Sequence, residues 1–215
     1  MQKTSISATR QQLLDHGLSI ASEKGLRGLT VRGLCQRAGI NTGSFVYHFG
    51  NREQFTTELL EHWYAPLFMQ VQLEYDQDIA PINRLKAMLR QLVGYVSIHG
   101  ELISQMLLDA AAGEFAVVAF MKSLTPRHPR LILQCIAEAQ KSNALVRADP
   151  AHQMMFIMST LAMPVLMQHS LGGKEILPDM IRDVLATYAI NPHHIEQRLQ
   201  WALRGLSPLE KIHEP

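Results

Sequence analysis

Apolar residues recur along this chain at three- and four-residue intervals almost from end to end, and no stretch of useful length alternates as a half-buried strand would. That periodicity restricts the fold to packed helices. With 47% hydrophobic and 18% charged residues there is ample apolar surface to close a core, which sets wholesale disorder aside. At 215 residues the chain suits a compact domain with a smaller one appended.

Four short helices are expected in the first third. The first runs from about Ser7 to Lys24, with Leu14, Leu18 and Ala21 on one face, and Gly25 and Gly28 mark its end. Thr30 supplies an N-cap for a second, whose apolar residues Val31, Leu34, Cys35 and Ala38 form one stripe. Gly39 breaks it, and Asn41 caps a very short third helix from Thr42 to about His48, closed by Gly50. Asn51-Arg-Glu-Gln54 has the form of a capping box and opens the fourth, with Phe55, Leu59 and Trp63 on one face. Pro66 should kink or end that helix, since proline lacks a backbone donor and clashes with the preceding turn. Further amphipathic helices are expected at about 81–97, 100–111, 114–123, 127–142, 150–170, 178–189 and 193–205, with prolines and glycines at their edges.

Residues 30–52 carry the chemistry. Two short helices across a glycine turn, behind a supporting helix, make a tri-helical helix-turn-helix. A helix entering a major groove needs short polar groups near its N-terminus, where base edges lie. Asn41, Thr42 and Ser44 are such groups, and Gly43 permits close backbone approach. Tyr47 and His48 can donate to phosphate oxygens, with Phe49 turned inward. Arg52 in the first turn of helix 4 combines a guanidinium with a helix N-terminus, and Thr30 and Arg32 could hold phosphate at the start of helix 2. Residues 1–53 hold seven basic side chains against three acidic, a net +4, whereas the remainder carries −3. Such an asymmetry suits a head facing a polyanion.

The stretch Leu29-Thr-Val-Arg-Gly-Leu-Cys-Gln-Arg-Ala-Gly-Ile-Asn-Thr-Gly-Ser-Phe-Val-Tyr-His-Phe-Gly-Asn-Arg-Glu-Gln-Phe55 resembles the DNA-binding segment of TetR-family repressors. The shared pattern is a threonine opening helix 2 (Thr30), an alanine-glycine turn (Ala38-Gly39), a small-residue recognition helix (Asn41 to Ser44), paired aromatics ending in Phe (Tyr47-His48-Phe49) and a basic residue at helix 4 (Arg52). Val46 stands where that family usually has tyrosine, so contact with the bases is expected from Thr42, Ser44 and Tyr47 instead. The resemblance implies an all-α protein. A helix-turn-helix head at 1–53 would stand on a larger ligand-binding and dimerisation bundle at 54–215. It further implies a cytoplasmic homodimeric repressor of a palindromic operator in double-stranded DNA, released by a small, mostly apolar effector, with no cofactor. A helical adaptor that binds only proteins, and a helical enzyme, are the alternatives.

Outside the head no specific motif occurs. Met154 to Met167 is too apolar to face water, so it should pack in a core or an interface. As a membrane span it falls short of the roughly 20 residues a bilayer core requires, so no membrane association is expected. The expected dimer face joins Met154, Met158, Leu161 and Val165 to Ile195, Leu199 and Ala202. Leu92, Met106, Phe120 and Met158 are the candidates for lining a pocket, where thioethers would adapt to an apolar ligand. Cys35 and Cys135, far apart and without a CxxC pair, fit free thiols in a reducing compartment. No catalytic loop or elbow motif is present, and the histidines lack zinc-ligand spacing, so neither catalysis nor a metal site is expected. The expected signal route is helix 4, read as the only direct strut from head to body, bending at Pro66.

Overall fold

The computed structural model describes residues 2–208, with side chains from residue 8 onward, so Lys3 of the basic head lies outside the described side chains. Among these residues the regular structure is helical. In order the helices are α1 (Gln2–Lys24), α2 (Val31–Ala38), α3 (Thr42–Phe49), α4 (Arg52–Tyr75), α5 (Pro81–Ala111), α6 (Phe115–Ser123), α7 (His128–Lys141), α8 (Pro150–Leu171), α9 (Asp179–Tyr188) and α10 (Pro192–Gly205). The caps fall where short-range chemistry places them. Thr30 Oγ1 accepts from Gly33 N at 3.1 Å, Asn41 Oδ1 from Ser44 N at 2.8 Å, and Asn51 Oδ1 from Gln54 N at 2.9 Å. Each satisfies an N–H that the first helical turn leaves without a partner.

Of the two effects expected of Pro66, a kink or an end, the second does not occur, and α4 continues to Tyr75. Trp63, Tyr64, Leu67 and Val71 are all buried around it, and that burial offsets the single backbone bond proline removes. The break expected before Gly100 is seen as a kink within α5, where His99 leaves helical angles (φ −109°, ψ 18°). Glycine stands at 100 because the His169 ring lies against it: a Cβ there would come within 2.1 Å of His169 Cδ2. His169 Nε2 is 3.0 Å from Ser97 O.

The chain divides into two compact units, residues 1–66 with 101–124, and residues 67–100 with 125–215. The division therefore differs from a boundary after residue 53, and the chain passes between the units three times rather than through α4 alone. The first unit is centred on Leu13, Leu14, Leu26, Leu34, Phe45, Phe55 and Leu59, all buried. In the second, α8 packs against α7, α9 and α10. Arg84, lying over the Tyr75 ring at 5.4 Å, pairs with Glu138, and Arg90 pairs with Glu196 at 2.7 Å. α8 is long and apolar enough to cross a membrane by length and composition. Its Ile157, Leu161, Ala162 and Val165 are buried within the chain itself.

Candidate nucleic-acid interface

The α2–turn–α3 unit is anchored from one side. Phe45 and Phe49 of α3 meet Phe55 of α4 with ring centroids 5.3 and 4.8 Å apart, and all three rings are buried. Gln12 of α1 donates to Ala38 O at 2.9 Å, tying the end of α2 to the supporting helix. Glu23 and Ser19 of α1 hold Arg37 of α2, with Arg37 Nη1 to Glu23 Oε2 at 2.8 Å and Nη2 to Ser19 Oγ at 3.0 Å. Bonds from Arg37 and then Ser19 bring the Glu23 carboxyl down to about 2.

With its inner face filled, α3 presents Asn41, Thr42, Gly43, Val46 and Tyr47 to solvent, Tyr47 at 74% exposure, while Ser44 and His48 are half-buried. A Cβ built on Gly43 would meet only Asn41 Oδ1, at 3.2 Å, so the backbone here is open to close approach. Asn41 is committed through Oδ1 to capping, which leaves its amide N–H groups for a ligand. Thr30 and Arg32 at the start of α2 are exposed.

Arg52 lies elsewhere than expected. Its guanidinium turns back onto the α1–α2 turn, with Nε donating to Leu29 O at 2.8 Å and Nη2 to Leu26 O at 2.5 Å, and Nη1 pairs with Glu114 Oε1 at 3.3 Å. Two other members of the basic head are also engaged: Arg10 pairs with Glu58, and Arg37 with Glu23. Arg27, exposed on the α1–α2 turn, was not singled out by sequence reasoning, and the count of basic residues in the head was its only signal. Lys24, Arg27 and Arg32 are the exposed cations of the head without an ion-pair partner among the described residues.

A helix that seats its aromatic side inward and offers small polar groups and a tyrosine outward has the form of a major-groove reader. Comparison with known proteins agrees. Residues 13–59 match the family described as bacterial regulatory proteins, tetR family. Residues 13–59, which hold the helix-turn-helix, are thus similar to the DNA-binding segment of the TetR family. The chain is 32% identical over 83 residues to the HTH-type transcriptional repressor KstR2 of Mycobacterium tuberculosis, covering 39% of this chain and 42% of that protein. It thus spans about two-fifths of the length of the first curated relatives it matches. A longer match, 24% identical over 140 residues, covers 64% of the chain and 70% of the repressor DhaR of Mycobacterium sp. strain GP1. Among solved structures, KstR2 of M. tuberculosis superposes with a TM-score of 0.66 at 19% identity, over 93% of this chain and 95% of that one. The fatty acid degradation regulator FadR of Bacillus halodurans gives 0.70 at 16%, over 91% and 98%. These likenesses extend the family's fold over the body as well as the head.

The residues expected at the dimer face need correction. Leu161, Val165, Ile195, Leu199 and Ala202 are all buried inside the chain, on helices α8 and α10, which pack on each other. Met154 and Met158 are half-buried. The apolar side chains these helices expose are instead Met155, Phe156 and Met163 on α8 and Trp201 on α10. The four pocket candidates do not share a compact unit: Met106 and Phe120 fall in the first, Leu92 and Met158 in the second. Phe120 already packs against Tyr64 and Trp63, at 5.6 and 6.4 Å between ring centroids. Both cysteines are buried, and burial raises the Cys35 thiol and pushes that of Cys135 up to about 11, so neither is poised as a thiolate.

Proposed function

We propose that the chain is a cytoplasmic, DNA-binding repressor that reads a palindromic operator as a homodimer and is released by a small, mostly apolar effector. The observation that carries the reading is α3, capped by Asn41 and pinned through Phe45 and Phe49, with Thr42, Gly43 and Tyr47 free on its outer side. Thr42 and Ser44 would read base edges, and Tyr47, His48, Thr30, Arg32 and Arg27 would contact phosphate. A two-fold dimer would set two such helices about 34–36 Å apart, one turn of duplex. The exposed Met155, Phe156, Met163 and Trp201 supply the apolar surface such a dimer would cover. An apolar effector is supported by the neighbours described as ketosteroid and fatty acid degradation regulators. No catalytic role is proposed for any residue.

The test is selection from a randomised duplex library, followed by a salt titration on the enriched sequence. A palindrome whose log affinity falls steeply with log salt is the expected result, because phosphate contacts release counterions. No enrichment, with binding only at low salt, would refute it and leave a protein-binding adaptor as the reading.

A further inference from the structure

The turn between α1 and α2 is gripped from both sides by residues distant in sequence. On one side Asp109, 4% exposed near the end of α5, accepts the Leu26 N–H at 2.5 Å through Oδ2. On the other, Arg52 donates to Leu26 O and Leu29 O and reaches Glu114, the N-cap position of α6, at 3.3 Å. The apolar side chains of Leu26 and Leu29 are buried beneath the same turn. Leu26 O also accepts from Leu29 N at 3.0 Å, so a single residue is held at its N–H by Asp109 and at its carbonyl by Arg52 and the turn itself. Gly25 leaves room for the carboxylate: a Cβ there would lie 2.7 Å from Asp109 Oδ2.

We propose that Asp109, Arg52 and Glu114 form a clasp that holds the α1–α2 turn, and that Arg52 is a positioning residue rather than a phosphate ligand. α2 begins at Val31, directly after the clasped residues, and α3 follows it across one short turn. Whatever fixes Leu26 to Leu29 therefore fixes where the reading helix is presented. Three of the five guanidinium donors of Arg52 are engaged in this way, and its charge is paired with Glu114. Asp109 and Glu114 stand at the end of α5 and the start of α6, so the clasp makes that junction the place from which the head can be held or released. This rests on the DNA-reading function proposed above.

The experiment measures affinity, salt slope and active fraction of the full-length protein on its selected duplex, for wild type, Arg52→Ala, Asp109→Leu and Asp109→Asn. A phosphate ligand lost at Arg52 would lower the slope of log affinity against log salt by about one. A positioning residue leaves that slope unchanged while affinity falls, here by roughly tenfold, as expected when a buried backbone group loses its partner. Asp109→Leu should fall similarly, and Asp109→Asn, which keeps an acceptor oxygen for Leu26 N, should stay near wild type. Stoichiometric titration separates this from simple unfolding, which would reduce the active fraction and leave the dissociation constant of the remainder unmoved. Hydrogen exchange supplies a readout independent of DNA: the Leu26 amide should be protected in wild type and Asp109→Asn and exchange fast in Asp109→Leu. A slope reduced by one in Arg52→Ala, or wild-type affinity in Asp109→Leu, overturns the clasp. If wild type itself binds no duplex while the exchange pattern holds, it is the DNA-reading function that fails, and the clasp's role in operator binding falls with it.

Discussion

Gly25→Ala should be much more damaging than Gly39→Ala, although both glycines have positive φ, +73° and +65°. A left-handed backbone costs an L residue roughly 1–2 kcal/mol, and at Gly39 nothing lies within 4 Å of an added Cβ, so that cost stands alone. At Gly25 the new methyl would lie 2.7 and 2.8 Å from the two oxygens of Asp109. The carboxylate must move, and with it goes the 2.5 Å bond to the buried Leu26 N–H. Leaving that N–H unsatisfied adds about 1–3 kcal/mol, for about 2–5 kcal/mol in all. Urea unfolding in a Trp201→Phe background would measure both. There the remaining tryptophan, Trp63, is 7% exposed beside Phe120 and reports on the unit containing the head. Gly25→Ala combined with Asp109→Ala should cost less than the sum of the two alone, because one substitution removes what the other collides with. Equal losses for Gly25→Ala and Gly39→Ala would refute the reasoning, since the carboxylate contact would then contribute nothing.

Thr42→Ala or Ser44→Ala should blunt the preference between operator variants by about 1–3 kcal/mol at one position, whereas Tyr47→Phe should weaken all duplexes alike; competition binding distinguishes the two patterns. Met163→Glu or Trp201→Glu should shift the proposed dimer toward monomer in sedimentation equilibrium, because both side chains are exposed and available to such an interface. Leu199→Ala, at a position buried inside the chain, should instead lower stability by about 2–5 kcal/mol in urea unfolding. Burial, then the Arg127 charge, brings His128 down to about 4 from its ordinary 6.5. Its folded value lies below its unfolded one, so the unfolded chain takes up the proton first. Stability from this group is complete above pH 6.5 and is lost as pH falls toward 4, by an amount on the order of 1–3 kcal/mol. Urea midpoints at pH 7 and 4.5 should differ less in His128→Gln than in wild type.

Local sequence governs whatever acts over one or two helical turns. Thr30, Asn41 and Asn51 cap helices because their side-chain oxygens reach an N–H three residues ahead, an interaction contained in the local spacing. Phe45 and Phe49, four apart on α3, had to share a face, and that left Tyr47 on the opposite one. The rest was set by packing between helices distant in the chain. α8 is apolar nearly all round, so periodicity could not say that Leu161 and Val165 face inward while Phe156 and Met163 face out; packing against α7, α9 and α10 made that choice. Gly100 reads locally as a helix edge, and α5 does kink there, at His99; the local reading could not show that it also seats a ring 69 positions later in the chain, at His169. Arg52 reads as a phosphate ligand because a cation at a helix start is one in isolation. Folding instead brings two backbone carbonyls and Glu114 within its reach, and Asp109 to an amide 83 residues away. Such contacts leave no periodic trace, because they join residues whose separation along the chain is set by everything folded between them.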